Sequence, residues 1–197
     1  VKRIVQLVLL LALLAGCAKK ESPYDKMPLP PERIAMPGYS LMPVNEPGWV
    51  RVKGAGLVLS RYGASVDETE QVMGSVIAVP QLAGVHALRH FFKRTMVDDV
   101  YSGRYEPVSL DFEELNYRGA RCVRSHLVSI DRYPVTFDMN STKTMRLESY
   151  QQLCLHPDDF RAGVLIAVTQ QYYPGNEDAA FADKAVAVLE SLRFSKP

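Results

Sequence analysis

The chain has 197 residues, of which 47% are hydrophobic and 23% charged, and its 23 basic and 22 acidic side chains leave a net charge of +1. No run of five or more basic residues occurs, so the electrostatic footprint of a nucleic-acid binder is missing. Length and apolar content suit one globular domain with enough chain to bury a core.

Lys2 and Arg3 open the chain, an apolar run follows from Ile4 to Leu14, and the segment ends in Leu14-Ala15-Gly16-Cys17. Eleven residues with Gln6 among them fall short of the roughly 20 that cross a bilayer. A basic start, a short apolar core and small residues at a cleavage point are instead the layout of an export signal, covering residues 1–16. Leu14-Ala15-Gly16-Cys17 resembles, position by position, the lipobox of bacterial lipoproteins. The resemblance implies cleavage after Gly16 and acylation of the Cys17 sulfur, with Cys17 as the mature N-terminus. It implies a protein of the cell envelope, bound to the membrane through its N-terminal lipid. Ala18, in place of the aspartate associated with inner-membrane retention, points to the periplasmic face of the outer membrane of a Gram-negative bacterium. Val1 in place of methionine fits a non-ATG start. The alternative is an uncleaved interfacial anchor with Cys17 an ordinary thiol. Each buried CH₂ of an acyl chain contributes about 0.8 kcal/mol, so several chains hold a protein to the membrane stably.

Residues 17–47 are expected to be the lipidated cysteine and an extended tether. Seven of the thirteen prolines (Pro23, Pro28, Pro30, Pro31, Pro37, Pro43 and Pro47) fall here, and proline fixes φ and removes a backbone donor. The alternative is an arm, with Ile34-Ala35-Met36 and Tyr39-Ser40-Leu41-Met42 packed along the domain.

The globular domain is expected over 48–197. Trp49–Lys53 and Leu57–Tyr62 flank Gly54-Ala55-Gly56 and predict a hairpin. Gln71–Val79 predicts a third strand, stopped by Pro80. Leu82, Val85, Leu88, Phe91, Phe92 and Met96 recur at helical spacing and predict a helix from about Leu82 to Asp99. Leu110–Tyr117, Ala120–Asp131, Arg146–His156 and Gly163–Tyr173 predict four further strands, with Arg118-Gly119 in a turn. Val164–Val168 is apolar throughout, as in a strand covered on both faces. Asn176 is the expected N-cap of a last helix to about Ser191, with Glu177 and Asp178 complementing its dipole. The fold class is α+β: an antiparallel sheet of about seven strands packed with two main helices. The order of elements, and the ending Ala187-Val188-Leu189-Glu190-Ser191-Leu192-Arg193-Phe194, resemble the PsbP-like fold of bacterial lipoproteins and photosystem II extrinsic subunits. That resemblance implies a binding or assembly factor and transfers no functional residue.

With Cys17 assigned to lipid, Cys122 and Cys154 remain, and an even pair in an oxidising compartment predicts a disulfide. If Ile130 faces Arg146, Cys122 lies opposite Cys154 and Val123 beside Leu153, with Leu127, Leu147 and Leu155 on the latter face; the cysteines themselves guided this choice of register. Two buried thiols are the alternative.

His86 and His90, four apart on the first helix, are candidate metal ligands. Ala87 stands where a zincin would place its glutamate. Glu113 and Glu114 point to opposite faces of a strand, and His156-Pro157-Asp158-Asp159 reads as a turn. No Gly-x-Ser-x-Gly or Walker loop occurs, Gly54-x-Gly56 is not a dinucleotide fingerprint, and no cofactor is expected. Tyr101, Tyr105, Tyr117, Tyr133, Tyr172 and Tyr173 fall near element ends, where an interaction rim would form. The reading that follows is a membrane-anchored, non-enzymatic binding or assembly module, partnered by another envelope protein. A lipid-tethered inhibitor or immunity factor is one alternative, and a hydrolase or metal-binding enzyme the other.

Overall fold

The computed structural model describes residues 22–54, 56–82, 84–100, 103–135 and 143–196. The expected export signal, Cys17 and Tyr101 lie outside these residues. The elements are β1 (Tyr24–Lys26), β2 (Ile34–Met36), β3 (Tyr39–Leu41), β4 (Val50–Val52), β5 (Leu57–Tyr62), β6 (Thr69–Ala78), α1 (Val85–Val100), β7 (Tyr105–Tyr117), β8 (Ala120–Asp131), β9 (Met145–His156), β10 (Asp159–Tyr172), α2 (Phe181–Glu190) and β11 (Arg193–Phe194). The fold is α+β. An eight-stranded antiparallel sheet runs β1-β4-β5-β6-β10-β9-β8-β7, beside a three-stranded sheet β11-β3-β2. The seven expected strands are all in the large sheet; the eighth is β1. No described helix is long and apolar enough to cross a membrane.

Side chains alternate across a strand, and both faces of the sheet are covered here. One face packs Val123, Leu127, Leu153 and Leu155 under Leu88, Phe92 and Met96 of α1. The opposite face packs Leu57, Leu59, Val72, Val164, Ile166 and Val168 under Phe181, Ala185, Val188 and Leu189 of α2. The run Val164–Val168 is continuous because its residues feed both cores.

The expected tether is corrected. β1 pairs with β4, with Tyr24 opposite Val52, and β3 sits between β2 and β11. Ile34, Tyr39 and Leu41 belong to the α2-side core, at 8%, 2% and 0% exposure. The prolines do limit these strands: each is three residues long and contains no proline. Burial of three large apolar side chains, each worth about 1.5–3 kcal/mol, holds the arm where its ladders are too short to do so.

One further expectation changes. Asn176 does not cap α2: its amide donates to Glu68 Oε1 at 2.9 Å, and the helix begins after Ala180, whose N–H is accepted by Asp178 Oδ1 at 2.9 Å. Arg193 and Phe194, which follow α2, form β11 opposite Ser40 and Tyr39.

The β8–β9 register puts Ile130 opposite Arg146, Val123 opposite Leu153, and Cys122 opposite Cys154. The two cysteines are fully buried and joined as a disulfide, with Cα atoms 4.0 Å apart.

Candidate functional site

The candidate site is built at the end of the sheet that holds the β5–β6 loop. On the α2 face, one row of the ladder sets Arg61 opposite Glu70, Glu70 opposite Gln170, and Gln170 opposite Glu148. Four polar side chains thus lie side by side across β5, β6, β10 and β9. Neighbouring rows on the same face carry Leu59, Val72 and Val168 and belong to the core. The row is polar where the cover of α2 ends.

Its charges are committed to one another. Arg61 donates to Glu70 Oε1 at 2.5 Å and also to Glu46 of the arm. Lys184 of α2 pairs with Glu46 at 2.6 Å and with Asp178. Gln170 donates to Glu148 at 2.7 Å and accepts the Asp178 N–H at 3.3 Å. A chain of contacts therefore runs Glu70–Arg61–Glu46–Lys184–Asp178–Gln170–Glu148. Burial disfavours the charged form of Arg61, yet its bonds to Glu70 and the charges of Glu70 and Glu46 outweigh this and raise its pKa. The same opposition acts on Lys184: burial lowers its pKa, and Asp178 and Glu46 together raise it above the ordinary value. For Asp178, burial pushes upward, while Lys184 and the Ala180 N–H pull its pKa below the ordinary value. Glu46 lies in the segment expected to be a tether, so the arm contributes the central acid of the network.

A cleft of about 560 Å³ opens beside this network, lined by Arg61, Glu70 and Gln170 and by Tyr62, Glu68 and Asn176 among others. Glu68 is 1% exposed. Its Oε1 accepts the Tyr173 N–H and the Asn176 amide, both at 2.9 Å, which staples the β5–β6 loop to the segment leading into α2. Its Oε2 is buried with no hydrogen-bond partner, as are Arg61 Nε and Ser65 Oγ. Buried polar atoms without partners cost stability, and with almost no accessible surface these three face neither solvent nor an entering group. Tyr62 and Val66 stand at this end of the sheet, 66% and 57% exposed.

The sequence-predicted residues are scattered. Tyr105 and Tyr117 occupy opposite ends of β7, so the tyrosines do not form one rim. Tyr172 is buried at 8% exposure and Tyr133 is 71% exposed. The Tyr173 hydroxyl bonds Asp67 at 3.1 Å, and the Tyr117 hydroxyl donates to the carbonyls of Glu190 and Leu192. Of the six, Tyr172 lines the cleft. Tyr62 was missed, because alternation along β5 gives no sign of which face is covered. His86 bonds Glu114 at 2.8 Å on the outer side of α1, and His90 is exposed. No group of three His, Cys, Asp or Glu side chains placed to hold a metal ion occurs among the described residues. His156 is buried, its Nε2 between the carbonyls of Gly38 and Ser195 at 3.2 and 2.9 Å. It ties the arm to the chain end after β11.

No family model and no curated protein matches the chain. Among solved structures, the chain is similar to the solution structure of cyanobacterial PsbP (CyanoP) from Synechocystis sp. PCC 6803. Sequence identity is 17% and the TM-score 0.49, over 91% of this chain and 98% of that one.

Proposed function

We propose that the protein is a membrane-anchored lipoprotein of the periplasm whose domain is a non-enzymatic binding or assembly module. The lipobox supports the anchoring, and the cleft beside Arg61 and Glu68 supports the binding. One observation carries the second part. The cleft is walled by Arg61, Glu70 and Gln170 held rigid in one polar network, and Tyr62 and Val66 stand exposed at the same end of the sheet. Such a site holds a partner by apolar contact at Tyr62 and Val66 beside a preorganised polar wall. The partner is an envelope protein offering a loop with an apolar side chain for the Tyr62 rim and polar groups for the cleft wall.

A photo-crosslinking residue at Tyr62 of the full chain, expressed in native membranes, tests this. The expected result is one defined envelope-protein adduct at position 62. That adduct should be weakened by Val66→Asp, at an exposed rim position, and absent when the crosslinker replaces Val108, which is 55% exposed on the edge strand β7. Equal adducts at both positions, or none at 62, would contradict the proposal.

A further inference from the structure

The end of the sheet opposite the cleft carries the β7–β8 turn at Arg118-Gly119, the β9–β10 turn at Pro157-Asp158, and the β4–β5 turn. The described chain begins at this end, where Lys53 N–H bonds the Pro23 carbonyl at 3.0 Å. Three arginines meet where α2 stops. Arg33 donates to the Ser191 carbonyl at 2.8 Å and reaches the Ser40 hydroxyl at 3.5 Å. Arg193 is paired with Ser40 across β11 and β3. Arg118 donates to the Tyr117 hydroxyl at 2.9 Å, and that hydroxyl bonds the Leu192 carbonyl at 3.2 Å.

Among the described residues, Arg33, Arg118 and Arg193 take part in no salt bridge. Burial, followed by the charges of Arg193 and Arg118, pulls the Arg33 guanidinium below its ordinary pKa, with Tyr117 acting the other way. Arg118 and Arg193 are exposed, as are Arg121, Arg161 and Lys196 nearby. Phe160 stands 56% exposed at the start of β10, with the Arg161 guanidinium 5.9 Å from its ring. The acids of this end include Asp25, Glu32, Asp158, Asp159 and Glu190; Asp25 pairs with Lys53 at 3.3 Å, Glu190 with Arg124 at 3.8 Å, and Asp159 accepts the Arg161 N–H at 2.9 Å.

We infer that this end of the domain lies on an anionic bilayer, with Arg118, Arg193 and Arg33 facing lipid phosphates and Phe160 entering the head-group boundary. Guanidinium groups match phosphate oxygens in a two-pronged geometry, and basic residues beside an exposed aromatic ring suit an anionic interface. The inference rests on the anchoring proposed above. Six residues lie between Cys17 and Tyr24, at most about 25 Å of chain, so a lipid on Cys17 keeps this end near the membrane. The cleft, at the other end of the sheet, then faces away from it.

The test uses the full lipidated chain with Phe160→Trp, reconstituted into vesicles whose acyl chains are brominated near the head groups. Trp49, 3% exposed in the core, is the internal reference that stays unquenched. In phosphatidylglycerol vesicles, position 160 should shift to the blue and lose emission. In phosphatidylcholine vesicles the loss should disappear, as it should with Arg118→Gln and Arg193→Gln together; Arg33 is retained because it bonds backbone. Protein that floats with anionic vesicles while position 160 stays unquenched overturns the docking and leaves the anchor intact. Protein that does not float overturns both. Quenching that persists after Cys17→Ala leaves the docking standing and removes the anchor as its cause.

Discussion

The Tyr39 hydroxyl lies over Gly74, 2.5 Å from where a Cβ on that glycine would stand, with Leu57 Cδ2 at 2.9 Å and Ile166 Cδ1 at 3.0 Å around the same point. The arm strand β3 and the central strand β6 approach this closely because position 74 has no side chain. The phenol is buried and without a hydrogen-bond partner.

Gly74→Ala should therefore destabilise the domain by about 1–3 kcal/mol through overpacking, read as a lower midpoint in urea. Tyr39→Phe should be neutral or gain up to about 1 kcal/mol at neutral pH, because it removes an unpaired buried hydroxyl. A full cost for Tyr39→Phe would show that the hydroxyl is bonded in solution.

The same residue predicts a response to alkali. Burial, opposed in part by Arg51, pushes the Tyr39 phenol up to about 12. A raised acid holds its proton more tightly in the folded state. Its contribution is thus complete below the unfolded value of about 10 and is lost as pH rises from there through the folded value. Urea midpoints of the parent should fall between pH 10 and 12, and Tyr39→Phe should flatten that fall.

Asp178 predicts the opposite limb. Its pKa is depressed chiefly by Lys184 and the Ala180 N–H, against the opposing pull of burial. Its contribution is present above the ordinary carboxylate range and lost as pH drops through the folded value. Asp178→Asn should make stability less sensitive to acid below about pH 4. An unchanged acid limb would show that the ion-pair network is open in solution.

Proteolysis separates a folded arm from a tether. Trypsin acting on the folded protein should leave a resistant core that includes Tyr39 to Met42, and removing residues up to 47 should unfold the domain. A stable core starting near Trp49 would contradict the packing of Ile34, Tyr39 and Leu41.

The Cys122–Cys154 bond closes a loop with a sequence separation of 32, which in the chain-entropy model stabilises by about 3–4 kcal/mol. Replacing both cysteines with serine should lower stability by roughly that amount and leave the strand order intact.

The large sheet was legible because its strands are long and their apolar residues alternate or run unbroken, and two buried cysteines were consistent with one register for β8 and β9. The arm was not legible. Local proline density argues correctly that no long strand forms, but says nothing of three-residue strands held by distant core positions. The site was hidden for a related reason. Arg61, Glu70, Gln170 and Glu148 become neighbours through pairing across four strands, and no linear spacing joins them to Glu46 or Lys184. Tyrosines near element ends looked alike in sequence, while register sends Tyr105 and Tyr117 to opposite ends of one strand.

Acylation at Cys17 is the most direct test, since both the place of action and the orientation of the domain depend on it. Cells expressing the full chain are fed a clickable palmitate analogue, and the protein is recovered from separated membranes. The account predicts label on the parent, recovered with the outer membrane, and none on Cys17→Ala, which is released from the membrane. Label that persists on Cys17→Ala, or an unlabelled parent, would contradict it.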